Sequence, residues 1–153
     1  GIMQAHVLRF LMKNDDQLMK GLAGAYLHIH RRLNRALAQE GTSLARTKML
    51  MFVQAQEGAA RAADIAELFD LAPRTVTDAL DGMERDGLIV RTADPGDRRV
   101  KRVAITPTGA RAVAAGEPLR KRLLTEQFAG LSEDERAQLA ALLGRLVETL
   151  QEK

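Results

Sequence analysis

Four basic side chains stand within five consecutive positions of this sequence: Arg98, Arg99, Lys101 and Arg102. Guanidinium and ammonium groups bind phosphate oxygens through charge-assisted hydrogen bonds. The cluster follows a turn signal at residues 94–96, Asp-Pro-Gly, and β-branched residues stand before the turn and between the charges. The segment therefore predicts a β-hairpin whose tip and return strand are positively charged. Such a hairpin suits a nucleic-acid backbone; the simpler alternative is an ordinary solvated hairpin.

The amino-acid composition favours a globular domain and excludes several classes of protein. The 153 residues are 46% hydrophobic and 28% charged but only 3% aromatic, which indicates a globular domain with an aliphatic core. Cysteine is absent, which excludes a disulfide framework, a thiol redox sensor and thiolate metal sites. No apolar run approaches the roughly 20 residues that span a bilayer, and no stretch reads as a signal peptide. We therefore expect a cytoplasmic protein with no membrane partner.

The formal net charge of +3 is unevenly distributed. Residues 61–86 carry three Lys or Arg against seven Asp or Glu, whereas residues 87–111 carry six against two. We expect the acidic segment to bind DNA poorly unaided, so that the basic hairpin must supply the attraction.

Apolar periodicity predicts helices over 15–39, 44–56, 61–69, 73–86 and 107–128, with a last helix that follows the capping box Ser132–Glu135. The third and fourth of these are short and are joined by a three-residue turn, 70–72, which is the helix-turn-helix pattern. The inner face of the fourth is expected to comprise Val76, Ala79, Leu80 and Met83. We expect Pro118 to bend or interrupt the helix that contains it.

The two ends of the chain suggest self-association. The apolar segment 6–12 is too short to fold alone and is expected to pack on another surface, such as that of a second copy of the chain. The last helix has a wide leucine stripe, which burial in the same chain or, as we favour, a partner helix would cover. The predicted interface consists of Leu139, Leu142, Leu143, Leu146 and Leu150.

A helix-turn-helix followed directly by a basic hairpin is a winged helix, and with long helices at both ends it resembles the MarR family of bacterial transcription regulators. That family's wing signature is Asp-x-Arg, five residues, then Leu-Thr. This chain has Asp97-x-Arg99, five residues, then Ile105-Thr106, with Gly109 after it. The segments 84–89 (Glu-Arg-Asp-Gly-Leu-Ile) and 131–135 (Leu-Ser-x-x-Glu) are also similar to the family. The resemblance covers about residues 16–150.

The resemblance implies a mainly α fold with a small β-hairpin (α+β), a winged helix-turn-helix flanked by dimerisation helices. Its parts would be an N-terminal helical dimerisation segment (1–40), a DNA-binding domain (41–110) and a C-terminal helical dimerisation segment (111–153). It further implies a homodimeric regulator of double-stranded DNA, a repressor on an inverted repeat that a small aromatic or acidic effector releases. The alternative is a winged-helix protein-interaction module with little DNA affinity, which the acidic charge of 61–86 favours. We find no nucleophile–base pair, Gly-rich phosphate loop or carboxylate constellation, so no enzyme and no cofactor are expected.

In a helix-turn-helix the second helix enters the major groove. Its outward residues, which are the predicted recognition surface, are Arg74, Thr75, Thr77, Asp78 and Asp81. Arg74 is suited to read guanine, and the threonines to contact phosphate or a thymine methyl. Asp78 would accept a hydrogen bond from cytosine, hold Arg74 or face solvent.

In the wing the predicted DNA-binding residues are Asp97, Arg98, Arg99 and Lys101. The resemblance implies that Arg99 reaches the minor groove or its phosphates, and that Asp97 pairs with a nearby arginine to fix the loop. Strand alternation turns Arg102 away from the tip.

The family resemblance also implies an effector pocket, whose wall we place by position at His28, Arg32, Met49, Phe52 and Val53. Arg32 would hold a carboxylate and His28 a phenol or a proton. No metal site is expected, because His28 and His30 lie on different helix faces and His6 is isolated; surface or core histidines are the simpler interpretation.

Overall fold

The structure, a computed structural model, describes residues 2–3 and 15–152. The apolar segment 6–12 and His6 lie outside the described residues. In chain order the elements are α1 (Asp15–Gln39), α2 (Leu44–Ala55), β1 (Ala60–Arg61), α3 (Ala62–Phe69), α4 (Pro73–Arg85), β2 (Ile89–Ala93), β3 (Lys101–Ile105), α5 (Pro107–Gln127) and α6 (Glu133–Gln151). The predicted helices are confirmed, with ends that differ by one residue at most.

A three-residue turn joins α3 and α4, the two helices of the helix-turn-helix. Asp70 ends α3 in the left-handed conformation, with φ +50° and ψ +52°. Aspartate tolerates this conformation better than most residues, which explains why the turn forms without glycine. The Leu71 amide then donates to the Ala66 carbonyl oxygen at 2.9 Å, and Pro73 occupies the first turn of α4. The predicted motif is thereby confirmed.

The wing is part of a three-stranded antiparallel sheet in the order β1-β3-β2. The hairpin of β2 and β3 was predicted, but the two-residue strand β1 was not. Ala60 pairs with Val103, and Arg61 with Arg102. Since Arg61 directly precedes α3, β1 joins the start of the helix-turn-helix to the return strand of the wing. The fold class, mainly helical with a small sheet, is confirmed.

One hydrophobic core underlies both the helix-turn-helix and the sheet. The second helix of the motif contributes its predicted inner face, on which Val76, Leu80 and Met83 are almost fully buried and Ala79 is half-buried. The other buried members are Met49, Leu50, Val53, Ala60, Ile65, Ile89 and Val103. Packing against one shared core fixes α4 relative to the sheet.

The junction between β3 and α5 is tightly built. Thr106 caps α5: its hydroxyl group accepts a hydrogen bond from the Gly109 amide at 3.0 Å and donates one to the Gly87 carbonyl oxygen at 2.6 Å. A side chain at position 109 is excluded, because a Cβ there would lie 2.1 Å from the Leu88 carbonyl oxygen. The end of α4, the wing and the start of α5 therefore meet at this point.

The chain divides into two compact units, one up to Ala114 and the other from Ala115. We predicted that Pro118 would bend or interrupt its helix; α5 is continuous through Pro118, so it is not interrupted there, because a proline removes one amide donor and the rest of the helix ladder persists. The capping box at the start of α6 is confirmed by reciprocal hydrogen bonds between Ser132 and Glu135. These bonds lower the pKa of the Glu135 carboxyl. Within residues 2–3 and 15–152, none of the helices combines the length and apolarity that crossing a bilayer requires.

Candidate nucleic-acid interface

The outward face of α4 is exposed at each of the five predicted positions, Arg74, Thr75, Thr77, Asp78 and Asp81. Thr77 donates its hydroxyl to the Pro73 carbonyl oxygen at 3.0 Å. In the part of the chain that the structure describes, the side chains of Arg74 and Asp78 have no polar partner, so the suggested role of Asp78 in holding Arg74 is not observed. The first two turns of α4 thus present an unpaired cation and an unpaired carboxylate to solvent.

The second half of α4 is held by an arginine of the wing. Arg91 on β2 donates from Nη2 to Asp81 Oδ1 at 2.6 Å and from Nε to Glu84 Oε2 at 3.1 Å. Its backbone amide also donates to Glu84 Oε2, at 3.1 Å. These bonds lower the pKa of the Glu84 carboxyl and raise that of the Arg91 guanidinium. Asp81 was predicted to face DNA, but its carboxylate has a partner within the molecule.

A second arginine holds the end of the same helix. Arg46 on α2 donates to Asp86 Oδ2 at 2.7 Å. Asp64, at the start of α3, accepts from the Arg61 backbone amide at 3.1 Å. Including Asp81 and Glu84, four of the seven acidic side chains in residues 61–86 therefore have partners. Because Arg46 and Arg91 lie outside residues 61–86 and pair with three of these carboxylates, the helix-turn-helix presents less negative charge than its residue count indicates.

The tip of the wing is basic and exposed. The side chain of Arg99 is 92% exposed, and its backbone amide and Nε both donate to Asp97 Oδ1, at 3.1 and 3.2 Å. This confirms the expectation that Asp97 pairs with a nearby arginine, and that arginine is Arg99 itself. Arg98 and Lys101 are also exposed, and over the described ranges neither has a side-chain partner. Three cations are therefore exposed at one end of the hairpin, and one of them, Arg99, is paired with Asp97.

The start of the wing loop contains a buried carboxylate that sequence reasoning missed. Asp94 is 2% exposed, and its Oδ2 accepts from Arg61 Nη2 at 2.8 Å and from Arg102 Nε at 2.9 Å. Its Oδ1 accepts from the backbone amides of Gly96 and Asp97, at 2.8 and 3.2 Å. Mainly because Arg102 and the Gly96 amide stabilise the ionised form, the pKa of Asp94 falls to about 2. The Asp-Pro-Gly sequence indicated the turn but not these arginines.

The predicted effector-pocket residues lie in different surroundings. Met49 and Val53 are buried in the core, and Phe52 packs at its edge with its ring 6.3 Å from that of Phe69. His28 and Arg32 are exposed on α1. The pocket stays a prediction. In the described ranges, 2–3 and 15–152, no group of three or more His, Asp or Glu side chains is arranged to hold a metal ion.

The leucine stripe of α6, which we predicted to form the dimer interface, is exposed to solvent. None of the residues of this helix is buried. The exposed large hydrophobic residues on it are Leu139, Leu142, Leu143, Leu146, Val147 and Leu150. α1 also exposes a set of apolar side chains, Leu18, Met19, Leu22, Tyr26 and Leu27.

Known proteins share this sequence pattern and this geometry. A family model described as the MarR family matches residues 49–101. The HTH-type transcriptional repressor MdtR of Bacillus subtilis is 28% identical over 144 residues, which cover 90% of each chain.

Two solved structures with DNA share the fold. A cysteine-to-serine mutant of MarR from E. coli, in complex with operator DNA, superposes with a TM-score of 0.75 at 22% identity, over 85% of this chain and 93% of that one. The S. aureus MepR–DNA complex superposes with a TM-score of 0.71 at 23% identity, over 89% of this chain and 98% of that one.

Proposed function

We propose that this protein, which belongs to the MarR family of winged helix-turn-helix transcription regulators, is a repressor that binds an inverted-repeat operator as a homodimer and is released by a small-molecule ligand. The chain is a DNA-binding transcription regulator and not an enzyme. We propose repression because MdtR, which is similar to this protein over 90% of each chain, is a repressor. Such a regulator would act in the cytoplasm.

One observation supports the DNA-binding proposal most directly: several acidic side chains in or directly after α4 are paired within the molecule, whereas the basic side chains of the wing tip are exposed. Asp81 and Glu84, in the second half of α4, bind Arg91, and Asp86, directly after the helix, binds Arg46. The basic side chains of the wing tip remain exposed. The wing tip therefore presents positive charge to solvent, as binding to a phosphate backbone requires. This also weakens the alternative of a protein-interaction module, whose main support was the acidic charge of residues 61–86.

For base reading we propose the first two turns of α4. Arg74 would donate to O6 and N7 of guanine, and Asp78 would accept from the amino group of cytosine. Thr75 and Thr77 would contact phosphates or a thymine methyl. Asp81 would take part only if its ion pair with Arg91 opened.

For the wing we propose that Arg99 enters the minor groove, where a narrow A·T-rich segment favours an inserted guanidinium. Arg98 and Lys101 would bind the flanking phosphates, and Asp97 would orient Arg99. The high exposure of Arg99 supports this assignment, because the side chain is free to extend without breaking any contact with the core.

The homodimer is proposed from the apolar stripe of α6, which a partner helix would cover. We place the ligand at His28, Arg32, Met49, Phe52 and Val53, with Arg32 as the partner of an acidic group. Substituting Arg32 by Gln would be expected to remove ligand-induced release and leave DNA binding intact.

A binding-site selection on the purified protein tests the DNA-binding proposal. We expect enrichment of an inverted repeat whose half-sites are centred about one helical turn, roughly 34 Å, apart. Binding to the selected duplex should weaken steeply with salt. A pool without an enriched repeat, together with little affinity at low salt, would instead support the protein-interaction module.

Reversing the charge of Arg99 tests the wing. Because each dimer has two wings, Arg99→Glu should weaken binding to the selected duplex by about 100-fold or more while the dimer persists. Arg35→Glu, at an exposed position of α1, makes the same change in net charge and is the control. Normal binding by Arg99→Glu would contradict the assignment.

A further inference from the structure

The carboxylate of Asp94 connects three parts of the winged helix. One of its arginines, Arg61, lies on β1 immediately before α3, and the other, Arg102, lies on β3. The two are directly opposite each other in the β1–β3 pairing. The backbone amides of Gly96 and Asp97, at the start of the wing loop, complete the set of donors.

This arrangement accounts for a buried charge that would otherwise be costly. A carboxylate has about four acceptor positions, and all four are used here. The two arginines lie on the paired strands β1 and β3, and the two amides belong to the wing loop, outside the strands. A carboxylate held this way fixes the relative positions of these segments, because any shift would leave a buried charge unpaired.

We infer that Asp94 is a positioning residue for operator recognition, which holds the wing tip at a fixed place relative to the start of the helix-turn-helix. The inference rests on the proposed DNA-binding function and deepens it. Arg98 and Arg99 follow the anchored amides directly, so the anchor sets where their side chains reach the DNA. A sequence-specific complex needs that placement, whereas attraction to any phosphate backbone does not.

The positioning role and the charge of Asp94 predict opposite effects of Asp94→Asn on operator affinity. Replacing Asp94 by Asn removes a negative charge from a basic wing and releases two arginines, which by charge alone would strengthen binding to any DNA. Loss of positioning would weaken binding to the operator and leave non-specific binding unchanged or stronger. The ratio of the two affinities therefore separates positioning from charge.

The experiment uses the full-length protein, a duplex selected by the wild type and an unrelated duplex of equal length. For Asp94→Asn we expect the ratio of specific to non-specific affinity to fall by about tenfold or more, similar to a mismatched base pair. The control is Asp70→Asn, the same chemical change at an exposed carboxylate that has no side-chain partner in the described chain. It should leave the ratio unchanged. An unchanged ratio in Asp94→Asn would overturn the inference.

A second variant keeps the test decisive if Asp94→Asn folds poorly. Arg61→Gln leaves the carboxylate bound to Arg102 and to both amides, and a thermal melt would verify its fold. The positioning role predicts a lower affinity ratio with an unchanged dependence on salt. An equal loss on both duplexes, with the slope of log affinity against log salt reduced by about one per lost contact, would show that Arg61 is a phosphate ligand and would overturn the inference.

Failure of the proposed function would look different. If the wild type itself selected no sequence, the DNA-binding proposal would fall, and this inference with it. If the wild type selected an operator and the variants kept its affinity ratio, only the positioning role would fall.

Discussion

Arg91 of the wing donates a 2.6 Å hydrogen bond to Asp81 of α4, ten positions earlier in the sequence. The same guanidinium also binds Glu84, one helical turn further along. The outgoing strand of the wing is thereby joined to the helix that we propose reads the operator. The two DNA-binding elements consequently share an ionic contact as well as a hydrophobic core.

The Arg91–Asp81 contact should be measurable as a coupling energy. In a double-mutant cycle of Arg91→Gln and Asp81→Asn, we expect the effects on the free energy of unfolding to be non-additive by about 0.5–1 kcal/mol, since both side chains are partly exposed. Urea denaturation at low salt measures this energy. Asp78→Asn, on the same helix face but without a partner in the described chain, should show no coupling to Arg91→Gln. Additivity in the first cycle would contradict the contact.

The buried carboxylate of Asp94 gives a prediction for pH. Its pKa falls from the ordinary value of 3.8 to about 2 in the folded protein. Because the folded-state value is the lower one, the ion pairs stabilise the fold above pH 4, and this stabilisation is lost as the pH falls from about 4 to about 2. The difference in unfolding free energy between the wild type and Asp94→Asn should therefore be constant from pH 5 to 7 and shrink below pH 4.

An NMR titration of the Asp94 side-chain carbonyl carbon would measure the pKa directly. A midpoint for Asp94 close to that of an exposed aspartate would contradict the four hydrogen bonds that hold this carboxylate.

The sequence predicted the helices and the hairpin well, but it did not predict which side chains connect them. Apolar spacing located α4 and its inner face, since periodic burial is a local signal. The turn at residues 94–96 and the capping box at Ser132 were also predicted from local sequence signals. β1 was missed because two residues carry no detectable periodicity. The partnership of Asp94 with Arg61 spans 33 positions and depends on how the strands align.

The residue count likewise misjudged the charge of the helix-turn-helix. Segment totals treat every acidic residue as available to solvent and DNA. In the folded chain Arg46 and Arg91 come from outside residues 61–86 and bind three of its carboxylates. Which charges neutralise each other is a property of the tertiary structure, so the pairing of Asp81 could not be read from its outward position on α4.

The β3–α5 junction predicts a strong requirement for glycine at one position of α5. Gly109→Ala would place a Cβ 2.1 Å from the Leu88 carbonyl oxygen and 2.7 Å from Ile105 Cγ1. We expect a loss of about 2–3 kcal/mol in unfolding free energy, because backbone must move to relieve the clash.

Gly116→Ala is the matched control for this substitution, since a Cβ at position 116 meets nothing within 4 Å in the described chain. It should be neutral or stabilise the protein by up to about 1 kcal/mol through helix propensity. Denaturation of both variants in parallel measures the contrast. Equal stabilities would show that the junction is looser than its geometry indicates.

The open stripe of α6 predicts that DNA binding depends on dimerisation. Leu142 is 60% exposed and Leu146 is 43% exposed. A stable leucine surface of this kind is expected to be covered by another apolar surface, and burying one such side chain contributes about 1.5–3 kcal/mol. A two-fold interface buries each residue twice, so Leu142→Glu should raise the dimer dissociation constant by about 100-fold or more.

Sedimentation equilibrium of Leu142→Glu measures this constant, and titration of the selected duplex measures the consequence. We expect a monomer that binds a single half-site weakly. Its affinity for the selected duplex should no longer rise steeply when both half-sites are present. Ala141→Glu introduces the same charge on the opposite side of α6 and should remain dimeric. If Leu142→Glu stayed dimeric, another surface would have to hold the two copies together. The exposed apolar side chains of α1, including Leu18 and Leu22, would then be the next surface to substitute.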